Sequence, residues 1–460
     1  MISLLLAAAL LAPQEPDPAA DLIELRGLWL DTIDDAFLAR GPELAATLDF
    51  AWDHGFNSVF PVAWRPDGPL WPSLTAQTAG GVELAPKWVD TKFPSRNVLT
   101  EITVECHRAG LEVVPVVDLV MAPKLEIGKP IDALDPTLMK FTNAVVEELV
   151  SIHAIDGIAF DAHALARYKP LDTAGLQTLG DFVQTLRGIV NQYDPEIRFV
   201  LVDGGAGQIP WMERGLFDAA VVRMQARDAD AWKQAAVALK AEPWCAKSPA
   251  RALPFLDITG DAWTKNPDAL LAAITHNRTL GLRNAVVASL TELRRDDGLL
   301  ATELAREPFY GLALVPWRNG LEWRTRGDAT LPQVGEGQWE WFLDSTGVRV
   351  LQTSNAGKGV ASWTLRVIEK GDYDLYTWIS PEMDLGSRFA YSVTTKSGVR
   401  TVTVDPTRPG SKGWIYLGSV PMDRRGVREV VKLSTNDGEP TKVTVAGPLV
   451  AVLSRKPRNR

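Results

Sequence analysis

The chain has 460 residues, of which 46% are hydrophobic and 23% are charged, a composition typical of a folded protein with more than one domain. Its formal net charge of −9 makes nucleic acid and anionic membrane surfaces unsuitable partners. Neither the two cysteines, Cys106 and Cys245, nor the five histidines show a metal-ligand spacing. The sequence therefore predicts no metal site, no cofactor, and two buried thiols rather than a disulfide.

The first 20 residues contain a short apolar run, ISLLLAAALLA at 2–12, followed by a polar stretch. The run has the length of the hydrophobic region of a signal peptide and is too short to span a bilayer. No Lys or Arg precedes it, so an unstructured apolar tail or a misassigned start is the alternative. No later segment is long and apolar enough for a membrane span. We expect a secreted, periplasmic or cell-envelope protein.

Residues 21–323 alternate apolar, β-branched runs with amphipathic helical patterns. Predicted strands are 22–30, 58–64, 111–120, 157–160, 197–202, 219–224, 252–256 and 284–290. Predicted helices between them include 42–52, 97–109, 138–152, 176–191 and 268–280. Eight strand–helix units predict an α/β fold, the (β/α)8 TIM barrel. The competing open doubly wound sheet usually has a glycine-rich turn after its first strand, where this chain has LDTIDD at 30–35.

The pattern changes after Trp317. Residues 324–338 are rich in glycine, proline and charge, which predicts an exposed linker. Between 339 and 455, short alternating strands recur with Gly-Asp, Ser-Gly and Asn-Asp-Gly turns and without helical patterns. This texture predicts a separate C-terminal antiparallel β-sandwich, which we expect to be an accessory to the barrel rather than a catalytic domain.

Polar residues follow most of the predicted barrel strands, where the active sites of such barrels lie. Converging carboxylates suit glycoside hydrolysis, in which one carboxyl group protonates the leaving oxygen and another attacks or activates water. The catalytic candidates are Asp161, Asp203, Asp257 and Glu292, with Asp203 the favoured partner of Asp161. The candidates for sugar binding are Trp64, Arg65, Trp71, Asp31, Asp118, His163 and Gln225. The alternative for each aspartate is that it only caps the following helix.

Six segments resemble successive motifs of the bacterial glycosyl-hydrolase-like family ten. They are RGLWL at 26–30, HGFNSV at 54–59, RPDG at 65–68 with WPS at 71–73, CHRAGLEV at 106–113, DP at 135–136 and IDGIAFD at 155–161. The resemblance implies a polysaccharide-directed barrel hydrolase in which Asp161 is a catalytic or substrate-binding carboxylate. The chain departs from the family pattern with AHA at 162–164 and RMQA at 223–226.

Residues 340–450 resemble the golvesin or xanthan-lyase type of carbohydrate-binding-like sandwich, through ASWT at 361–364, GDYDLYTW at 371–378 and GWIYLG at 413–418. The two resemblances imply a polysaccharide or oligosaccharide as the partner. Two functions stay open at this point. One is an exported glycoside hydrolase, and the other is a non-catalytic glycan-binding or cell-surface protein that uses the barrel as a scaffold.

Overall fold

The computed structural model describes 23–31, 41–65, 68–83, 96–123, 132–203, 209–224, 226, 228–259, 263, 266–311, 313–317, 326–327, 329–353, 359–367, 369–381, 385–386, 388–395, 398–407, 412–422, 426–435 and 442–454. The predicted signal peptide at 1–20 lies outside these residues. No helix in the described part of the chain combines the length and the apolar character needed to cross a lipid bilayer.

The N-terminal part alternates strands and helices. Its strands are β1 Arg26–Leu30, β2 Ser58–Pro61, β3 Trp64–Arg65, β4 Gly68–Pro69, β5 Glu112–Val113, β6 Val116–Asp118, β7 Gly157–Asp161, β8 Arg198–Asp203, β9 Ala219–Arg223, β10 Ala252–Asp257 and β11 Ala285–Ala288. Its helices are α1 Gly41–Asp53, α2 Leu74–Thr78, α3 Val98–Ala109, α4 Pro136–Ile152, α5 Thr173–Tyr193, α6 Ile209–Glu213, α7 Ala229–Ala241, α8 Pro243–Lys247, α9 Pro267–Thr279 and α10 Leu290–Arg306.

Nine of these strands form one parallel sheet in the order β5-β2-β1-β11-β10-β9-β8-β7-β6. The two end strands, β5 and β6, come from the single strand predicted at 111–120. Pro115 lies between them and has no N–H to donate, so the hydrogen-bond ladder is interrupted there. β5 pairs with β2 and β6 pairs with β7, while a parallel bridge joins Val62 to Val116. Both ends of the sheet therefore meet in one short segment of chain.

Local sequence signals explain where the helices begin and end. The side chain of Asn97 accepts a hydrogen bond from the Thr100 N–H at the start of α3, and Gly110 ends α3 in the left-handed conformation with φ 79°. α4 and α9 each begin with a proline, after the capping side chains of Asp135 and Asn266. These boundaries return the chain directly to the sheet after each helix.

The C-terminal part consists of antiparallel strands. They are β12 Ala329–Thr330, β13 Gln333–Glu336, β14 Glu340–Leu343, β15 Arg349–Thr353, β16 Val360–Val367, β17 Gly371–Ile379, β18 Phe389–Thr395, β19 Gly398–Val404, β20 Gly413–Met422, β21 Gly426–Ser434, β22 Thr444–Ala446 and β23 Leu449–Leu453. They form sheets in the orders β12-β23-β17-β20, β13-β16-β21-β18-β19 and β14-β15-β22. The predicted succession of a parallel α/β part and an antiparallel β part is thus confirmed.

Two short strands, β12 and β13, lie within the segment 324–338 that the sequence predicts to be a linker. β12 pairs with β23 and β13 pairs with β16, so these residues belong to the C-terminal sheets. Just before them, the Arg326 guanidinium forms ion pairs with Asp49 and Asp53 of α1, and the Gly327 N–H donates to the Arg108 carbonyl. Most of the described residues of this segment are exposed, including all four of β13, while its backbone pairs with the C-terminal sheets.

The two parts of the chain pack against each other through α3. Its Val104 side chain is buried within the hydrophobic core of the C-terminal part, while Leu99 and Ile102 belong to the core of the N-terminal part. Glu101 and Glu105 are also buried in α3, and each forms an ion pair with an arginine, Arg96 and Arg108 respectively. The helix is therefore covered on both sides.

Candidate functional site

A cavity of about 430 Å³ opens at the C-terminal ends of the parallel strands. Its lining residues are Trp29, Asp31, Val62, Trp64, Arg65, Asp118, Asp161, His163, Arg167, Arg223, Phe255, Asp257, Thr259, Ala288, Ser289, Leu290 and Thr291. Seven of the residues predicted for the site are in this set: Trp64, Arg65, Asp31, Asp118, Asp161, His163 and Asp257. They come from five different strand ends, so the fold itself brings them together.

Asp118 and Asp161 form the centre of this arrangement. They end the adjacent strands β6 and β7 and are partners in the parallel register. Neighbouring parallel strands lie about 4.7–4.9 Å apart, and matched residues project to the same face. Arg167 Nη1 donates to Asp118 Oδ2 at 2.7 Å, and the His163 N–H donates to Asp161 Oδ1 at 2.8 Å. The two carboxyl groups are therefore close neighbours with different partners.

Because Asp118 is buried, its pKa differs from that of an exposed aspartate. Loss of hydration is the largest influence, and together with the nearby Asp161 charge it raises the pKa of Asp118 to about 7. The Arg167 and Arg65 cations oppose this shift without cancelling it. Asp118 is 6% exposed, so water screens its charge poorly. Near neutral pH, Asp118 can therefore hold a proton and donate it.

Asp161 also caps the short 3₁₀ turn Ala162–Arg167 through its contact with the His163 N–H. The alternative raised from the sequence, a capping aspartate, thus describes part of what Asp161 does. Its second oxygen, Oδ2, lies 3.6 Å from Arg223 Nη2 and faces the cavity. One oxygen is engaged by the backbone and the other is available to a ligand, so capping does not exclude a chemical role.

Arg223 was not among the predicted site residues. It ends β9, and its guanidinium carbon lies 5.5 Å from the Trp29 ring centroid and 5.3 Å from that of Phe255. Cation–π contacts of this kind fix the position of an arginine. Arg167, which was also missed, approaches Asp118 from the turn after β7. The sequence signal for Arg223 is its place at the end of a strand.

The remaining polar residues of the cavity are held by local contacts. Arg65 forms an ion pair with Asp31. Asp257 Oδ1 accepts hydrogen bonds from the Thr259 N–H at 2.9 Å and the Thr259 hydroxyl at 2.6 Å. Ser289 follows β11 in the left-handed conformation with φ 79°, which is unusual for a residue other than glycine and recurs at functional sites.

Two predicted site residues do not line the cavity. Trp71 is fully buried, and its indole N–H donates to Glu148 Oε1 at 2.8 Å, so it is a core residue rather than a platform for sugar. Glu292 lies in the first turn of α10 and forms an ion pair with Arg295 at 2.6 Å. Glu292 is not among the residues that line the cavity, although the preceding Leu290 and Thr291 are.

Two further predicted residues cannot be placed. Gln225 lies outside the described residues, and so does the side chain of Asp203, although its backbone ends β8 opposite Val222. Among the described residues, no group of three or more His, Cys, Asp and Glu side chains is arranged to hold a metal ion.

Comparison with known proteins gives a family only for the C-terminal part. Residues 333–448 match the family described as the Golvesin C-terminal domain. This match confirms the resemblance that the sequence showed for the C-terminal part. No curated protein matches the chain. The resemblance of the N-terminal part to family ten stays a prediction.

Among solved structures, the chain is similar to a Paenibacillus xanthan lyase, with 21% identity, a TM-score of 0.24, and coverage of 28% of this chain and 13% of that one. An α-amylase from Lactobacillus plantarum has 11% identity and a TM-score of 0.40, with coverage of 89% and 98%. α-L-Fucosidase isoenzyme 2 from Paenibacillus thiaminolyticus has 14% identity and a TM-score of 0.42, with coverage of 62% and 49%.

Proposed function

We propose that the chain is an exported glycoside hydrolase that acts on a polysaccharide. In this proposal the parallel sheet is a (β/α)8 barrel closed through 112–118, and the C-terminal sheets form a β-sandwich. The observation that carries the proposal is the matched pair Asp118 and Asp161 in one cavity, with environments that favour a proton on Asp118. Two carboxyl groups with separated protonation states are what glycoside hydrolysis needs.

Asp118 is the general acid of the proposed reaction. Its proton passes to the glycosidic oxygen as the bond between that oxygen and the anomeric carbon breaks. Asp161 is the nucleophile, and its Oδ2 attacks the anomeric carbon to form a glycosyl ester. Asp118, now ionised, then takes a proton from water, and the water oxygen displaces Asp161 from the sugar. We propose the retaining course, for which carboxyl groups lie about 5–5.5 Å apart, because Asp118 and Asp161 are matched neighbours on adjacent strands.

Other cavity residues bind and orient the sugar in this proposal. Trp64 and Arg65 lie at the cavity wall with Asp31, and Asp257 lies on β10, across the sheet order from Asp118. Asp257 stays a candidate for a third carboxylate role because its Oδ1 is oriented by Thr259. Asp203 also stays a candidate from its place at the end of β8.

The test is a pH–activity profile on a panel of soluble polysaccharides, with the anomeric form of the first product followed by NMR. We expect kcat/KM to fall as the pH rises above about 7, because the general acid loses its proton there. We also expect the first product to keep the anomeric configuration of the substrate. A product of inverted configuration would show that Asp161 is not the nucleophile.

A non-catalytic glycan-binding protein is the second candidate function. The observation that favours it is that each cavity carboxylate already has a partner: Asp31 has Arg65, Asp118 has Arg167, Asp161 has the His163 N–H and Asp257 has Thr259. Such pairing also occurs in a rigid binding site. If the purified protein binds a glycan tightly but releases no product over prolonged incubation, this second function replaces the first.

A further inference from the structure

Arg223 is a cation held in a fixed position at the wall of the cavity. It ends a buried strand, and the rings of Trp29 and Phe255 flank its guanidinium group at 5.5 and 5.3 Å. Its side chain is 37% exposed, on the side that faces the cavity. Because the rings restrict its movement, little conformational freedom is left to lose when a ligand binds.

The hydrogen-bonding capacity of Arg223 is unused within the described part of the chain. Its closest charged atom there, Asp161 Oδ2, lies at 3.6 Å, beyond hydrogen-bond distance. The other two arginines of the cavity differ in this respect, because Arg65 bonds to Asp31 and Arg167 bonds to Asp118. A guanidinium group carries five N–H donors in a planar fork. The donors of Arg223 are therefore available to a ligand.

The balance of charge in the cavity points to the kind of ligand. Four carboxyl groups, those of Asp31, Asp118, Asp161 and Asp257, face three guanidinium groups. Carboxylates alone would bind the hydroxyl groups of a neutral sugar and would repel an anion. The guanidinium groups offset that repulsion, and the planar fork of Arg223 can donate two parallel hydrogen bonds to two oxygens of one acidic group.

We propose that Arg223 binds the acidic group of a sugar, so that the glycan taken by this cavity is anionic, with a uronic acid carboxylate or a sulfate ester at this position. The inference rests on the proposed function, which it deepens by naming the substrate class. A cation that only neutralised Asp161 could be replaced by lysine without loss of the preference for acidic sugars. A guanidinium group that holds the acidic group through two hydrogen bonds could not be replaced in this way.

The experiment measures binding of monosaccharides, which have no glycosidic bond to cleave, by isothermal titration calorimetry. The probes are glucuronate, galacturonate and mannuronate, the neutral sugars glucose, galactose and mannose, and the 6-sulfates of glucose and galactose. The proteins are the full chain, Arg223→Gln and Arg223→Lys. Arg214→Gln is the matched control, because Arg214 pairs with Asp181 at 2.7 Å outside the cavity. Thermal midpoints are recorded for all four proteins.

We expect at least one acidic sugar to bind about tenfold or more tightly than its neutral counterpart, since hydrogen bonds between charged groups are the stronger kind. Arg223→Gln should abolish that preference and Arg223→Lys should keep part of it, while Arg214→Gln should behave as the unchanged protein. Tighter binding of a uronate identifies the carboxylate as the natural group, and tighter binding of a 6-sulfate identifies the sulfate.

Equal affinities for acidic and neutral sugars would overturn the inference, as would a preference that survives in Arg223→Gln, or no binding of any acidic sugar. If Arg223→Gln fails to fold, the comparison of the unchanged protein with the folded Arg223→Lys decides the question. The inference then requires a smaller preference for acidic sugars in Arg223→Lys. Failure of the hydrolase proposal is a separate result. A protein that prefers uronates through Arg223 but cleaves no polysaccharide keeps this inference, and one that cleaves a neutral glycan without binding acidic sugars loses it.

Discussion

Replacing Asp118 by asparagine should make the protein more stable and less active at the same time. Burial of its carboxyl group raises the pKa of Asp118 to about 7, from an ordinary value of 3.8. A folded-state pKa above the unfolded one means that the folded state is penalised as Asp118 ionises. Stability from this group is complete below about pH 4, falls as the pH rises, and is lost above about pH 7. At about 1.36 kcal/mol per pH unit, the full penalty is on the order of 4 kcal/mol.

Asp118→Asn removes this penalty, because an amide does not ionise. Urea denaturation at pH 5 and pH 8 should show a larger gain in the free energy of unfolding at pH 8. The exposed pair Asp181–Arg214 supplies the control, and Asp181→Asn should show no comparable gain. Turnover of the best polysaccharide should fall by about 10²- to 10⁴-fold with loss of the general acid. A loss of stability at pH 8, or near-normal turnover, would refute this account of Asp118.

Three other results are expected. Asp161→Asn should lower kcat by about 10³-fold or more, because the nucleophile is lost. The thermal midpoint should stay nearly unchanged, since asparagine caps 162–167 nearly as well as aspartate. Normal turnover would show that Asp161 is not the nucleophile. Deleting 340–460 should lower both the thermal midpoint and the turnover of short soluble glycans, because the side chain of Val104 would become exposed to water. Unchanged values would show that this part is a dispensable accessory. A protease of broad specificity should cut Arg326→Gln near 326–327 faster than the unchanged protein, because the pairs with α1 are lost. Equal rates would show that these pairs do not protect the segment.

The sequence predicted the alternation of strands and helices, and seven of its eleven candidate residues line the cavity, because both follow from one local pattern. Each apolar run that ends in a polar residue places that residue at the same edge of a parallel sheet, as Asp118, Asp161 and Asp257 show. Trp71 and Glu292 do not line the cavity, because the distance of a residue in sequence from a strand end says nothing about the direction of its side chain. Arg223 was missed because its role depends on Trp29 and Phe255, which are far apart in the sequence.

The position of α3 connects the C-terminal part of the chain to the candidate general acid. α3 is covered on one side by the N-terminal core and on the other by the C-terminal core, in which Val104 is buried. Gly110 ends this helix and leads within a few residues to β5 and β6, and β6 ends at Asp118. Movement of α3 would therefore displace the segment where the two ends of the sheet meet. α3 thus links the C-terminal core to the segment that carries Asp118, and the accessory role of the C-terminal part stays a prediction.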